Sequence, residues 1–123
     1  MSSTRLLEGL SILVVEDEAI ISFLLEDILN ELGAGEVRIA GNVANALAMI
    51  DSKRPDLAVL DVNLGGDRAY PVAGRLKADG VPFVFTTGYG KSGLDTRWMA
   101  ETVVQKPFTV PMMAEALRAR LRR

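Results

Sequence analysis

The sequence predicts a single α/β domain over residues 1–123, a doubly wound sheet of five parallel strands with helices on both faces. Short apolar runs alternate with amphipathic helical patterns five times, and no linker, internal repeat or low-complexity segment interrupts them. Short connections between alternating strands and helices favour a parallel sheet, because each helix carries the chain back across a face of the sheet. Five such units in 123 residues match the flavodoxin-like strand order 2-1-3-4-5 better than a full dinucleotide-binding fold.

Five short runs rich in apolar and β-branched residues are the predicted strands. They lie at residues 10–16, 36–40, 57–61, 82–87 and 102–105. The first run, LSILVVE, and the third, LAVLD, are almost uniformly apolar, which is typical of strands buried on both faces. The second run, EVRIA, alternates between polar and apolar residues, so we expect it at an edge of the sheet.

Helical periodicity fills most of the intervals between these strands. The first helix has apolar residues at offsets 0, 4, 7, 8 and 11, which are Ile21, Leu25, Ile28, Leu29 and Leu32. Asn42 is the predicted N-cap of the second helix, and Thr109 is that of the last. The third helix is predicted over residues 69–78, where Pro71 is compatible only with the first turn.

Two segments are predicted to be less regular. Residues 91–100 are weakly periodic, with Leu94 and Trp98 as the one convincing pair, and this fits a low-stability switching element between the fourth and fifth strands. Gly65 and Gly66 follow the third strand, and we expect them to provide a flexible loop rather than a cradle for phosphate.

Composition restricts the chemistry that the chain can perform. It contains no Cys, which excludes disulfides, thiolate catalysis and Cys-ligated zinc, and no His, the commonest general base. A net charge of −2 argues against a nucleic-acid footprint. There is no apolar run of about 18 residues and no signal-peptide pattern, so we expect a cytoplasmic protein without a membrane partner. The chemistry must therefore use carboxylates, Lys, Ser or Thr hydroxyls, or the backbone.

Polar residues stand where four of the five predicted strands end. The first, third, fourth and fifth strands end at Glu16, Asp17, Glu18, Asp61, Thr87 and Lys106. In the predicted order the first and third strands are neighbours at the switch point, where ligands of such sheets bind. Each residue also has an ordinary explanation: Asp17 could cap the first helix and Asp61 could be a loop acid. Likewise Thr87 could be an ordinary strand residue and Lys106 a solvated strand end.

The joint arrangement is harder to explain without a function. Two carboxylates about 5 Å apart repel by about 3 kcal/mol at an effective dielectric of about 20, and a proton or a cation would relieve this cost. Mg²⁺ suits a few carboxylates together with phosphate oxygens, so a phosphoryl group is the expected substrate fragment. Asp61 could then attack phosphorus as a nucleophile, with Thr87 and Lys106 stabilising the spreading charge.

Four segments in this order, ILVVEDE, LDVNL, FTTGYG and VVQKPF, resemble the receiver domain of response regulators in two-component signalling. The resemblance covers essentially the whole chain and implies that Asp61 is the phosphoacceptor. It further implies that Asp17 binds Mg²⁺ directly, Glu16 directly or through water, and Asn63 through its backbone carbonyl. Thr87 would be the hydroxyl switch and Lys106 its cationic partner. The Lys106–Pro107 bond resembles one that is cis in this family.

One position departs from the family pattern. A Tyr or Phe usually lies three residues before the lysine and moves with the threonine, but here this residue is Val103. FTTGYG is similar to the motif of a subgroup of single-domain regulators, Phe-Ala-Thr-Gly followed by tyrosine. In this chain Thr86 stands in place of the alanine. Tyr89 is therefore a candidate switch aromatic, with an exposed loop aromatic as the alternative.

The sequence thus favours a stand-alone response regulator that signals by protein contacts, and not an enzyme beyond its own Mg²⁺-dependent phosphorylation and dephosphorylation. Because the chain has no His, the phosphoryl donor must be a sensor histidine kinase, a histidine phosphotransfer protein or a small phosphodonor. No effector domain follows residue 123, so output would be a protein contact or onward transfer as a shuttle or sink in a phosphorelay.

Three other interpretations fit the residues less well. A phosphatase of the haloacid dehalogenase type needs a general acid at the position of Asn63. A nucleotide or flavin module would be repelled by the acids at residues 16–18. An interaction module that works without phosphorylation would have lost an acid, the threonine or the lysine, and all are present.

Overall fold

A computed structural model describes residues 5–88 and 94–121. Five parallel strands form one sheet: β1 (Ser11–Val15), β2 (Glu36–Ala40), β3 (Leu57–Asp61), β6 (Phe83–Thr87) and β7 (Val103–Gln105). Their order is β2-β1-β3-β6-β7. The two remaining strands, β4 (Asn63–Leu64) and β5 (Asp67–Arg68), form a separate hairpin. The predicted order 2-1-3-4-5 is therefore confirmed, with β2 at an edge as expected.

In the described part of the chain, four α-helices pack on the sheet: α1 (Ala19–Glu31), α2 (Val43–Ser52), α3 (Tyr70–Ala78) and α4 (Val110–Leu121). The Asn42 side chain accepts a hydrogen bond from the Asn45 amide at 2.8 Å and so caps α2 as predicted. The Thr109 hydroxyl accepts one from the Met112 amide at 3.3 Å at the start of α4. Pro71 lies in the first turn of α3, where its missing N–H costs nothing. Within the described ranges, no helix has the length and apolar character that a bilayer crossing requires.

The interval between β6 and β7 differs from a regular βα unit. Where the chain is described there, from residue 94 on, it forms a single 3₁₀ turn, Thr96–Trp98, instead of an α-helix. The Asp95 carboxylate accepts a hydrogen bond from the Arg97 amide and so starts this turn. Leu94 and Trp98 are both buried in the core, which agrees with their predicted pairing.

The core has two layers because successive strand residues point to opposite faces. Leu13 and Leu60 face the layer under α2 and α3, whereas Ile12 and Val59 face the layer under α1 and α4. All five residues of β3 are buried, as the uniformly apolar run predicted. A strand covered on both sides is firmly held, and β3 therefore fixes the position of its last residue, Asp61.

The β4–β5 hairpin corrects the expectation of a flexible loop. Gly65 and Gly66 form its two-residue turn with φ angles of 59° and 105°. Positive φ at both central residues is what a type I′ turn requires, and glycine adopts it without strain. A Cβ atom on Gly65 would lie 3.2 Å from Asp17 Oδ2. The turn is therefore an ordered element that packs against the acid at the end of β1.

Candidate functional site

The carboxyl ends of β1 and β3 bring three acids together. Glu16, Asp17 and Asp61 each offer a carboxylate oxygen, and these oxygens lie within 4.8 Å of one another. Glu16 and Asp61 are buried, with 2% and 5% exposure, whereas Asp17 is exposed. β1 and β3 are hydrogen-bonded neighbours, so acids that follow them must meet at one edge of the sheet.

Lys106 contacts both buried acids from the end of β7. Its ammonium nitrogen lies 3.1 Å from Glu16 Oε1 and 3.1 Å from Asp61 Oδ2. The backbone also fixes this residue, because the Lys106 amide donates a hydrogen bond to the Thr87 carbonyl at 2.9 Å. The following Lys106–Pro107 peptide bond is cis, as the family resemblance implied.

Backbone amides hold the other oxygen of each buried acid. The Asn63 amide donates to Asp61 Oδ1 at 3.2 Å, and the Glu18 amide donates to Glu16 Oε2 at 3.1 Å. Both oxygens of both acids are thus engaged, one by the main chain and one by Lys106. The residue preceding α1 is Glu18, whose side chain makes no capping bond, so the alternative reading of Asp17 as the helix cap is wrong.

The environment raises the pKa of both Glu16 and Lys106, which favours the neutral form of the acid and the charged form of the lysine. Burial raises the pKa of Glu16 to about 7, and the charge of Asp61 adds to this, although the Glu18 amide and Lys106 partly oppose it. Burial also disfavours the charged form of Lys106, but the charges and hydrogen bonds of Asp61 and Glu16 outweigh it and raise the pKa of Lys106. At neutral pH the lysine is therefore charged, while Glu16 is close to its titration point.

The donor set suits a small divalent cation. When all three acids are ionised, three negative charges face one ammonium group, so two remain uncompensated. Mg²⁺ binds hard oxygen ligands at about 2.1 Å in an octahedron, so neighbouring ligands lie about 3 Å apart and opposite ligands about 4.2 Å apart. Carboxylate oxygens within 4.8 Å of one another need only a small adjustment to reach this spacing. The acidic cluster therefore fits Mg²⁺ in both chemistry and size.

Two further predicted site residues, Thr87 and Asn63, lie on strands that adjoin or follow β3. Thr87 is buried at the end of β6, the strand next to β3. Asn63 begins β4, two residues after Asp61, the candidate phosphoacceptor. Tyr89 lies outside the described residues, and its predicted switch role stays a prediction. Sequence reasoning missed the contact of Gly65 with Asp17, although a glycine pair between two possible strands is a known hairpin signal.

Comparison with known protein families gives a match that covers most of the chain. The family described as response regulator receiver domain matches residues 12–118. The chain belongs to this family. The predicted resemblance is thereby confirmed, and receiver domains generally bind Mg²⁺ at an acidic pocket of the kind formed here.

Solved structures similar to this receiver domain share its fold over nearly the whole chain. SdrG from Sphingomonas melonis Fr1 is 44% identical, with a TM-score of 0.82 and coverage of 98% of this chain and 99% of SdrG. The BeF₃-activated conformation of SdrG, described from Pseudomonas melonis Fr1, is 43% identical with a TM-score of 0.78, and 98% of each chain is covered. PhyR from Brucella abortus is 25% identical with a TM-score of 0.79, covering 96% of this chain and 49% of PhyR.

Curated relatives are longer proteins. The DNA-binding response regulator MtrA of Mycolicibacterium paratuberculosis is 35% identical over 118 residues, which are 91% of this receiver domain and 51% of MtrA. The phosphate regulon protein PhoB of Pseudomonas aeruginosa is 34% identical over 124 residues, covering 94% of this chain and 53% of PhoB. The chain thus spans about half the length of the curated relatives it matches.

Proposed function

We propose that this receiver domain is a stand-alone response regulator of the cytoplasm that accepts a phosphoryl group on Asp61 and signals through contacts with another protein. The observation that carries the proposal is the joint placement of Glu16, Asp17 and Asp61 around Lys106 at the ends of neighbouring strands. Like charges are gathered at this point against their mutual repulsion, which a phosphoryl-transfer site with a divalent cation explains.

In the proposed reaction a carboxylate oxygen of Asp61 attacks the phosphorus of a phosphohistidine. The new O–P bond forms as the N–P bond breaks, and the leaving imidazole of the donor takes up a proton. Bound Mg²⁺, held by Glu16, Asp17, Asp61 and the backbone carbonyl of Asn63, would supply charge neutralisation for the phosphoryl oxygens.

Two side chains of the site would then respond to the aspartyl-phosphate. The Lys106 ammonium, now at Asp61 Oδ2, is close enough to pair with a phosphoryl oxygen instead. Thr87, on the adjacent strand, carries the hydroxyl that would follow the phosphoryl group. Asn63 offers a carboxamide where a phosphatase of the dehalogenase type needs an acid, so the product is expected to persist as a signal rather than turn over as an enzyme intermediate.

An exposed apolar surface beside the site supports a protein as the donor. Ile20, Phe23 and Leu24 of α1 are 80%, 61% and 44% exposed and lie on one face of the helix. This helix begins two residues after Asp17, so a helical phosphotransfer partner on that face could present its histidine to Asp61. Onward transfer to a second histidine would use the same surface and remains the alternative output.

The test is phosphorylation by acetyl phosphate, measured by intact mass with Mg²⁺ and with EDTA. We expect a Mg²⁺-dependent phosphoryl adduct on the wild type and on Asp27→Asn, an exposed aspartate of α1 that serves as the matched control. Asp61→Asn should remain unmodified. A wild type that stays unmodified, or an Asp61→Asn variant modified equally well, contradicts the proposal.

The donor surface is tested with the same preparation. Phe23→Ser should lower phosphoryl transfer from a panel of phosphorylated histidine kinases while labelling by acetyl phosphate stays unchanged. Equal transfer to the wild type and the variant would show that this face of α1 does not receive the donor.

A further inference from the structure

Tyr70, the first residue of α3, joins three elements near the proposed phosphorylation site. Its ring stacks on Trp98, with centroids 5.8 Å apart and planes at 10°. The same ring meets the edge of Phe85 at 6.2 Å and 87°. Its hydroxyl accepts a hydrogen bond from the Asp95 backbone amide at 2.8 Å. One side chain therefore connects α3, β6 and the segment that precedes β7.

These rings lead back to the strand that carries Thr87. Phe85 and Thr87 are two residues apart on β6, so their side chains point to the same face of the sheet. Phe85 also contacts Trp98 directly, at 6.0 Å and 84°. Val103 is the register partner of Phe85 and packs against the same cluster. A continuous set of packed rings thus extends from β6 to Trp98, beside the position where the family usually has an aromatic residue.

Most of the hydrogen bonds described for residues 94–98 are local, such as those from the Trp98 amide to the Asp95 carbonyl and from the Arg97 amide to the Asp95 carboxylate. The regular structure of this segment is one 3₁₀ turn. Among the hydrogen bonds described, the one that joins its backbone to a side chain outside the segment is accepted by the Tyr70 hydroxyl. The indole N–H of Trp98 is buried and has no hydrogen-bond partner in the described part of the chain. An unpaired buried donor is unfavourable, so a conformation that brings this N–H to water or to a partner would recover the lost interaction.

Two cationic side chains also lie against the ring of Trp98. The Lys77 ammonium lies 5.7 Å and the Arg97 guanidinium 5.9 Å from the centre of its ring. Such contacts are weak where solvent reaches them and can be exchanged at little cost. The ring of Trp98 packs against the rings of Tyr70, Phe83 and Phe85, so a change in the Tyr70 or Phe85 contact would alter the packing of Trp98.

We propose that Tyr70 couples the phosphorylation state of Asp61 to the position of Trp98. This inference rests on the proposed function and names the regulation of the same site. When Thr87 moves towards the phosphoryl group, the end of β6 and Phe85 shift with it. The Tyr70 hydroxyl then releases the Asp95 amide, and the segment of residues 94–98 changes the surface it offers to a partner. Tyr70 thereby performs, from α3, the coupling that Val103 cannot perform from β7.

The experiment follows two observables in the wild type and in Tyr70→Phe, each with Mg²⁺ and with or without acetyl phosphate. The first is the emission of Trp98, the one tryptophan of the chain. The second is hydrogen exchange of the Asp95 amide, read by NMR. Intact mass measures the phosphorylated fraction of every sample, so that phosphorylation of Asp61 and its effect on Asp95 and Trp98 are recorded separately.

In the wild type, phosphorylation should speed Asp95 exchange by about fivefold, which corresponds to the loss of one net hydrogen bond, and shift the Trp98 emission to the red. Tyr70→Phe keeps the ring but lacks the hydroxyl. It should show the faster exchange and the shifted emission without acetyl phosphate, change little on its addition, and still gain the phosphoryl group.

The outcomes separate this inference from the proposed function. A wild type that gains no phosphoryl group overturns the proposed function and the coupling with it. A phosphorylated wild type whose Asp95 exchange and Trp98 emission stay unchanged overturns the coupling alone. So does a Tyr70→Phe variant that responds to phosphorylation as fully as the wild type. If this variant fails to fold, the wild-type exchange rates still decide the matter.

Discussion

Replacing Glu16 by Gln should make the metal-free protein more stable at alkaline pH. Glu16 is 2% exposed, and burial is the main cause of the raised pKa of its carboxyl group. In the unfolded chain this carboxyl ionises near its ordinary pKa of 4.5, but in the folded protein it keeps its proton until about pH 7. Between these values the folded state binds one more proton, so the free energy of unfolding falls as the pH rises.

The magnitude follows from the width of this interval. A rise in pKa from 4.5 to about 7 corresponds to about 3 kcal/mol of lost stability above pH 7, at about 1.4 kcal/mol for each pH unit. The sign is that of a buried acid: its contribution is most favourable below pH 4.5 and is lost as the pH rises through 7. Gln retains an oxygen that can accept the Glu18 amide and has no proton to lose, and Lys106 keeps Asp61 as its partner.

The measurement is urea unfolding with EDTA at about pH 5 to about pH 8.5, a range chosen to cover the folded-state pKa of Glu16. Near pH 5 the wild type and Glu16→Gln should have similar stability, and at pH 8 the variant should be more stable by up to about 3 kcal/mol. Glu31→Gln, an exposed acid of α1, is the control and should follow the wild type. Saturating Mg²⁺ should remove most of the wild-type decline. Parallel pH curves for the wild type and Glu16→Gln would refute this reasoning.

Three further substitutions test features of the site region. Thr86→Val should raise the free energy of unfolding by about 1 kcal/mol, because the Thr86 hydroxyl is fully buried and has no partner among the described residues; a less stable variant in urea unfolding would reveal a partner. Gly65→Ala should cost about 1–2 kcal/mol at its positive φ and also weaken Mg²⁺ binding through Asp17. Gly66→Ala, with open space around it, should lose stability but keep the Mg²⁺ affinity measured by calorimetry; equal affinities in both variants would contradict the Asp17 contact.

The sheet could be predicted from the sequence because its strands are buried on both faces. The run LAVLD, the predicted third strand, matches β3 at both ends, since a uniformly apolar segment has few other places in a folded chain. The closeness of the acids at the ends of β1 and β3 could also be predicted from the sequence. Once two parallel strands are neighbours, the residues that follow them share an edge of the sheet.

What the sequence could not show depends on contacts between distant residues. The hairpin strands β4 and β5 have two residues each, which is too short for any periodicity. Tyr70 and Trp98 are far apart in the chain, and no local pattern reveals that their rings stack. The 3₁₀ turn in place of a helix follows from Asp95 and its neighbours, whose preferences are too weak to predict without the surrounding structure.

The backbone amides of Glu18 and Asn63 orient the two buried acids by hydrogen bonds. The geometry of these acids therefore does not depend on the side chains at positions 18 and 63. Any residue other than proline provides the same N–H, so Glu16 and Asp61 would keep their orientation after most substitutions there. The side chains of residues 18 and 63 make neither of these two hydrogen bonds. A receiver domain built in this way can exchange both side chains while its two buried acids stay oriented for the same chemistry.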